Sequence, residues 1–188
     1  MTHYIDIRLQ PKKEIRENIL LNQLYSAFHK QLYELKSNNI AVSFPEYRLK
    51  LGRLFRIHGS KENLEKLQSK EWLKKDITYY KLSDINAIPN KVKYRTVYRV
   101  QQNMTEAKLR RLIKRAKEGK GNFNEEDIKK YRIKMYQGGL DNPYVELVSM
   151  SNRQLHRRFI AFGELQESEI KDGFDLFGLS KISTIPWF

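Results

Sequence analysis

The 188-residue sequence contains no cysteine. That excludes a disulfide framework and every thiolate metal site, and it suits a reducing compartment. No apolar run approaches the roughly 20 residues of a membrane span. No early stretch has the basic, apolar and small-residue order of a signal peptide. A soluble, cytoplasmic protein is therefore expected. Histidine is scarce: His3, His29, His58 and His156 show no close ligand spacing, and no Asp/Glu cluster suggests a two-metal site. Neither an internal repeat nor a low-complexity tract is present. Acid is also short, with 22 Asp/Glu against 36 Lys/Arg, a net charge of +14. Such an excess points to a polyanionic partner, nucleic acid first and anionic membrane second.

What is present is strongly periodic. "HYIDIRL" alternates His3, Ile5, Ile7 and Leu9 on one face with Tyr4, Asp6 and Arg8 on the other, as a half-buried strand does. Pro11 ends it. Leu21, Leu24, Phe28, Leu32 and Leu35 then recur at helical spacing, with His29 at the edge of their stripe. "NIAVSF" and "RLFRIHG" read as two further strands. Ser60 can cap a second helix, "KENLEKLQSKEWL", carrying Leu64, Leu67 and Trp72. "DITYYKL" offers a fourth strand. The β-α-β-β-α-β order predicts an α+β, ferredoxin-like domain over residues 1–91. That fold hosts many functions and decides none of them.

After Pro89 the pattern changes, placing a boundary between residues 91 and 92. "KYRTVYRVQ" is β-rich and ends near Arg99 and Gln101. Thr105 can cap "EAKLRRLIKRAK", whose apolar seam (Leu109, Leu112, Ile113, Ala116) is narrow. Lys108, Arg110, Arg111, Lys114, Arg115 and Lys117 cover about half of its circumference. Asn124 can cap another helix. "YVELVSMS" and "QLHRRFIAF" then form a hairpin around Asn152-Arg153. A two-residue loop there pairs Ser149 with His156 on one face.

Each of these features has a plain alternative. From Arg95 to Lys120 there are nine Lys/Arg against two acids, half of the whole excess. A solvated helix face is the ordinary explanation of such a run. Solvated faces interleave both signs, however, and this one has no acid between Lys108 and Lys117. Phosphate contact fits it better. Arg99 and Gln101 share a strand face and suit guanine and adenine edges respectively, yet an exposed polar face reads the same. Ser149 beside His156 is equally a strand pair facing solvent. His29 is either a satisfied edge histidine or a general base suited to neutral pH. A nuclease built from these residues would work without metal.

Together, "HYIDIRL", "AFHKQL", "VSFP", "RIHGS", "YRTVYRVQ", "LRRLIKR", "SMSNRQLHRRFI" and the final "FGLSK…PWF" resemble the Csy-type repeat endoribonucleases of type I-F CRISPR systems. The stretches fall in that family's order over nearly the whole length. The resemblance implies a ferredoxin-like N-terminal domain and a smaller C-terminal domain over residues 92–188, with an arginine-rich helix and a β-hairpin. It implies a metal-independent cut at the 3′ base of a CRISPR repeat hairpin, giving a 2′,3′-cyclic phosphate. Retention of the crRNA within a type I-F surveillance complex, beside other subunits, is implied as well. No cofactor is implied.

By position, His29 matches the family's general base and Ser149 the serine holding the ribose and its 2′-hydroxyl. Arg99 and Gln101 match the pair reading purines at the foot of the stem. Arg111, Lys114 and Arg115, flanked by Lys108 and Arg110, match the groove-binding helix, and Ser151 lies in the loop against the RNA. Two positions depart from the pattern. Phe177 stands where the family commonly has a tyrosine near the histidine, so a hydroxyl that could orient His29 is missing. His156 stands where an aromatic usually stacks on the terminal base pair; imidazole can stack and could also act as an acid. Phe177 keeps open a slow or inactive hairpin-capping subunit, and a general RNA-binding protein would use the same basic helix.

Overall fold

A computed structural model describes residues 1–73, 78–101, 104–137, 142–148 and 154–188. Strand β1 (His3–Leu9) buries Ile5, Ile7 and Leu9 on one face, following the alternation in its sequence. Helix α1 (Glu17–Leu35) sets Leu20, Leu21, Leu24, Tyr25, Phe28 and Leu32 against the core. It ends where Lys36 adopts a left-handed backbone, φ 48°, and Ser37 N–H donates to Leu32 O. Strands β2 (Ala41–Ser43) and β3 (Leu54–Gly59), helix α2 (Lys61–Gln68) and strand β4 (Tyr80–Leu82) complete the unit. The sheet order β2-β3-β1-β4, with antiparallel neighbours, is that of a ferredoxin-like α+β fold. A two-residue strand, β5 (Asn86–Ala87), also pairs with β1.

Helix α2 is shorter than its sequence suggests. Ser60 caps it, accepting from Asn63 N–H at 3.2 Å, but it stops at Gln68. Glu71 turns the chain through a left-handed conformation, φ 49°, and Trp72 packs 6.2 Å from the Phe28 ring from outside the helix. Strand β3 is buried on both faces. Its outward Arg56 forks onto Asp6 at 2.7 and 2.9 Å and packs against the rings of Tyr4 and Phe188.

A second antiparallel sheet, in the order β7-β8-β6-β9, contains β6 (Lys93–Val100), β7 (Tyr144–Val148), β8 (Leu155–Phe162) and β9 (Ser180–Trp187). The expected division at residues 91/92 does not coincide with the compact units. Residues 1–99 and 143–188 form one unit, and residues 100–142 form another. The reason is burial. Val97, Val145, Leu147, Ile160 and Ile185 of the second sheet share one core with Ile5, Leu24 and Phe28.

The smaller unit holds α3 (Glu106–Lys117) and α4 (Glu125–Gln137). Thr105 caps α3, accepting from Lys108 N–H, while Asn124 and Asp127 cap α4 reciprocally at 2.9 and 3.1 Å. Leu109, Tyr131 and Met135 are its core, with Leu112 and Ile113 packed against them. Among the described residues no helix is long and apolar enough to cross a membrane.

Candidate active site

The site lies in the larger unit, where α1 meets β8 and the turn before β9. Helix α1 places His29 directly after buried Phe28, which leaves the imidazole half-buried at the stripe's edge. Its Nδ1 lies 2.7 Å from the Leu176 carbonyl. A carbonyl oxygen can only accept, so Nδ1 carries the proton and the lone pair of the neutral ring is on Nε2. Phe177 lies parallel to the imidazole, with ring centres 3.6 Å apart and planes 13° from coplanar. Stacking and the Leu176 carbonyl thus orient the ring.

The turn carrying Leu176 and Phe177 is itself fixed. Asp175 Oδ1 accepts from the N–H groups of Phe177 and Leu179, each at 2.9 Å. Gly178, at φ 71°, closes it by donating to Asp175 O. Tyr25 Oη donates to Phe177 O at 3.0 Å, tying the turn back to α1.

Burial is the main influence holding the His29 pKa below its ordinary value. The Leu176 carbonyl opposes it, the Arg158 cation adds to the lowering, and the Asp175 carboxylate raises it. The net direction keeps the ring neutral at neutral pH, as a general base requires.

A cleft of roughly 1320 Å³ opens here, lined by His29, Arg99, His156, Arg158 and Phe177 among others. That exceeds the usual volume of a small-molecule pocket and leaves room for more than one nucleotide. The structure therefore brings His29, Arg99, His156 and Phe177 together. Gln101 sits just past the end of β6, exposed.

The expected hairpin register is corrected. His156 stands opposite Leu147, and Leu155 opposite Val148, so Ser149 does not pair with His156. A two-residue loop at Asn152-Arg153 would need left-handed central residues, for which Asn-Arg is poorly suited. Because the slip is two residues, the side-chain faces are unchanged. Ser149 and Ser151 lie outside the described residues.

On α3, Lys108, Arg110, Arg111, Lys114, Arg115 and Lys117 are all exposed, while Leu109 is buried. Lys114 faces Glu118 at 3.8 Å and Arg111 Nε reaches Ala107 O at 3.4 Å. Neither contact is strong enough to occupy the cation.

Sequence reasoning passed over Asp175, Leu176 and Tyr25, and gave Arg158 no role in the site beyond added charge. Arg158 had a readable signal: on a strand it falls in phase with His156 and Ile160, so it points inward. Arg157, out of phase, lies outside, 3.0 Å from Glu146. A backbone carbonyl such as that of Leu176 leaves no mark in a sequence.

Fold and site define a class first. This is an α+β protein that presents a neutral histidine in a cation-lined cleft, an arrangement suited to an anionic substrate. The family model for the CRISPR-associated protein Cas_Csy4 matches residues 4–188, and the chain belongs to that family. A CRISPR-associated endonuclease Cas6/Csy4 of Pseudomonas aeruginosa (strain UCBPP-PA14) is 35% identical over 100% of both chains. Another, from Escherichia coli (strain UTI89 / UPEC), is 32% identical, again over 100% of both. Among solved structures, the CRISPR endoribonuclease Cse3 bound to a 19-nt RNA covers 99% of this chain and 100% of its own, at 12% identity and a TM-score of 0.37. That last likeness is too distant to carry weight.

Proposed function

We propose that this chain is a metal-independent endoribonuclease that cuts CRISPR repeat hairpins at the 3′ base of the stem and retains the crRNA within a type I-F complex. Family membership and two full-length relatives named as endonucleases support the enzymatic class. One observation carries the mechanism: the Nδ1–H bond to Leu176 leaves the His29 Nε2 lone pair as a base in the cleft. Nε2 takes the proton of a ribose 2′-hydroxyl, and the 2′-oxygen forms a bond to the adjacent phosphorus. The bond from phosphorus to the 5′-oxygen breaks, that oxygen takes a proton from water or from His156, and a 2′,3′-cyclic phosphate remains.

Ser149 holds the sugar in this scheme, as the family resemblance implies. Arg99 and Gln101 read the purines at the foot of the stem, and α3 grips the stem's phosphates. A short stem or loop-opened groove is needed, because regular A-form RNA has too narrow a major groove for a helix. His156 stacks on the last base pair, or donates the proton to the leaving oxygen.

The test is cleavage of the hairpin repeat RNA of the protein's own locus in excess EDTA. A single cut ending in a cyclic phosphate is expected. His29→Ala should slow it about 10²–10⁴-fold with binding unchanged; equal cutting by that variant removes His29 from the mechanism. Phe177 supports a second reading, a capping subunit with little turnover, because no hydroxyl stands on the ring against His29. Tight binding without cutting by the parent protein, with cutting restored in Phe177→Tyr, would establish it.

A further inference from the structure

Arg158 is 5% exposed, on β8 inside the cleft. Its guanidinium carbon lies 3.4 Å from the centre of the Phe177 ring. His29 already covers one side of that ring at 3.6 Å, and two groups cannot share a side at these distances. Phe177 is therefore sandwiched, imidazole on one face and guanidinium on the other. Among the described residues no acceptor meets Arg158 Nε.

The other buried arginine among the described residues behaves differently. Arg56, 8% exposed, forks onto Asp6 and the Phe188 carbonyl. A guanidinium taken out of water without an acceptor is costly. Arg99, half-buried in the same cleft, likewise has an Nε that is buried with no described partner. Burial and the Arg99 charge both weigh against the protonated form of Arg158, with Asp175 in its favour. Two under-satisfied guanidinium groups beside one base form a seat for an anion.

We propose that Arg158 seats the phosphate at the cut, donating to a non-bridging oxygen and stabilising the negative charge that builds up as the 2′-oxygen attacks. This rests on the cleavage reading above. Arg158 forms and breaks no covalent bond; the proton still passes from the 2′-hydroxyl to His29 Nε2. The phenyl ring fixes the plane of the fork, so the donors are aimed before the substrate arrives. Such preorganised donors are effective because nothing must reorganise during the reaction.

Two hairpin RNAs test the seat: one ends at the foot of the stem in a 3′-phosphate, the other in a 3′-hydroxyl. The parent protein should bind the phosphate-ended RNA about tenfold more tightly. Arg158→Met should lose that preference while binding the hydroxyl-ended RNA as the parent does. Its single-turnover cleavage should fall about 10²–10³-fold. Its Tm should be unchanged or higher, since an unpaired buried charge has been removed. Arg158→Lys, which keeps the charge but not the fork, should recover part of the preference. A preference undiminished in Arg158→Met overturns the seat, and a lowered Tm alongside it makes Arg158 a structural prop for Phe177. Should the parent fail to cut, the cleavage reading falls, while the end-group preference still decides on the seat.

Discussion

A histidine works as a base only while neutral, and His29 is held neutral by burial and by Arg158 against the pull of Leu176 O and Asp175. Lys30, Glu34, Arg99 and His156 also line the cleft. Cleavage at subsaturating protein reports the free enzyme. Its logarithm should climb with pH below the His29 pKa and level off above it. The inflection is expected below 6.5, the ordinary imidazole value, and Arg158→Met should move it upward; an inflection above 6.5 in the parent contradicts the assignment. His58 provides a separate prediction, read in stability. Its ring is enclosed, with Ser43 Oγ 2.8 Å from Nε2. Burial, Arg56 and the N-terminal amine push its pKa from 6.5 down to about 3. Between those values the unfolded chain binds the proton and the folded one does not, so stability falls as pH falls. From pH 7 to pH 5 this one group should remove about 2 kcal/mol. Urea unfolding at the two pH values checks it, and His58→Gln should flatten the difference.

The elements differ in how much of them could be read from the sequence. Strand β1, helix α1 and the caps at Ser60, Thr105 and Asn124 were legible, because burial alternates with the pleat or the helical turn and short polar side chains satisfy the first N–H groups. Strand β9 was not, since Pro186 within it argues against a strand. It survives as the edge of its sheet, where a missing N–H is tolerated. The hairpin register was misread because a slip of two residues leaves both side-chain faces unchanged, so the alternation cannot detect it. The turn at Asp175–Leu179 was legible as Gly-Leu-Ser-Lys only through family resemblance; nothing local marks Leu176 O as the partner of His29. This turn carries its own prediction. A Cβ on Gly178 would sit 3.1 Å from both the Phe28 ring and Val42 N, and φ is 71°. Gly178→Ala should therefore cost about 1–3 kcal/mol. It should also slow cleavage more than it weakens hairpin binding, because the displaced turn carries Leu176 and Phe177 away from His29. A thermal melt with single-turnover cleavage checks this; unchanged stability and rate would mean the turn is not tightly held.

At the scale of the whole molecule, the sequence conveyed that two parts exist but not which segments join them. The boundary near Pro89 reflects a real change of pattern. Compactness, however, is decided by long-range burial of β6 to β9, which no local window contains. Charge was easier to read, because exposed cations need no tertiary partner to be recognised as such. The chain carries +14, and the exposed face of α3 gathers six cations on a helix whose first turn alone holds an acid, Glu106. If that face takes up phosphates, each contact releases a condensed counterion from the RNA, and affinity must fall steeply with salt. Removing one contact then has a specific signature. Arg115→Ala should weaken hairpin binding and reduce the slope of log K against log salt by about 0.7–0.9, with the rate of cutting in the bound state unaltered. Filter binding across a salt series, beside single-turnover cleavage at saturating protein, separates the two quantities. A parallel shift of the line without a change in slope would mean that Arg115 acts on the fold of its own helix pair rather than on a phosphate.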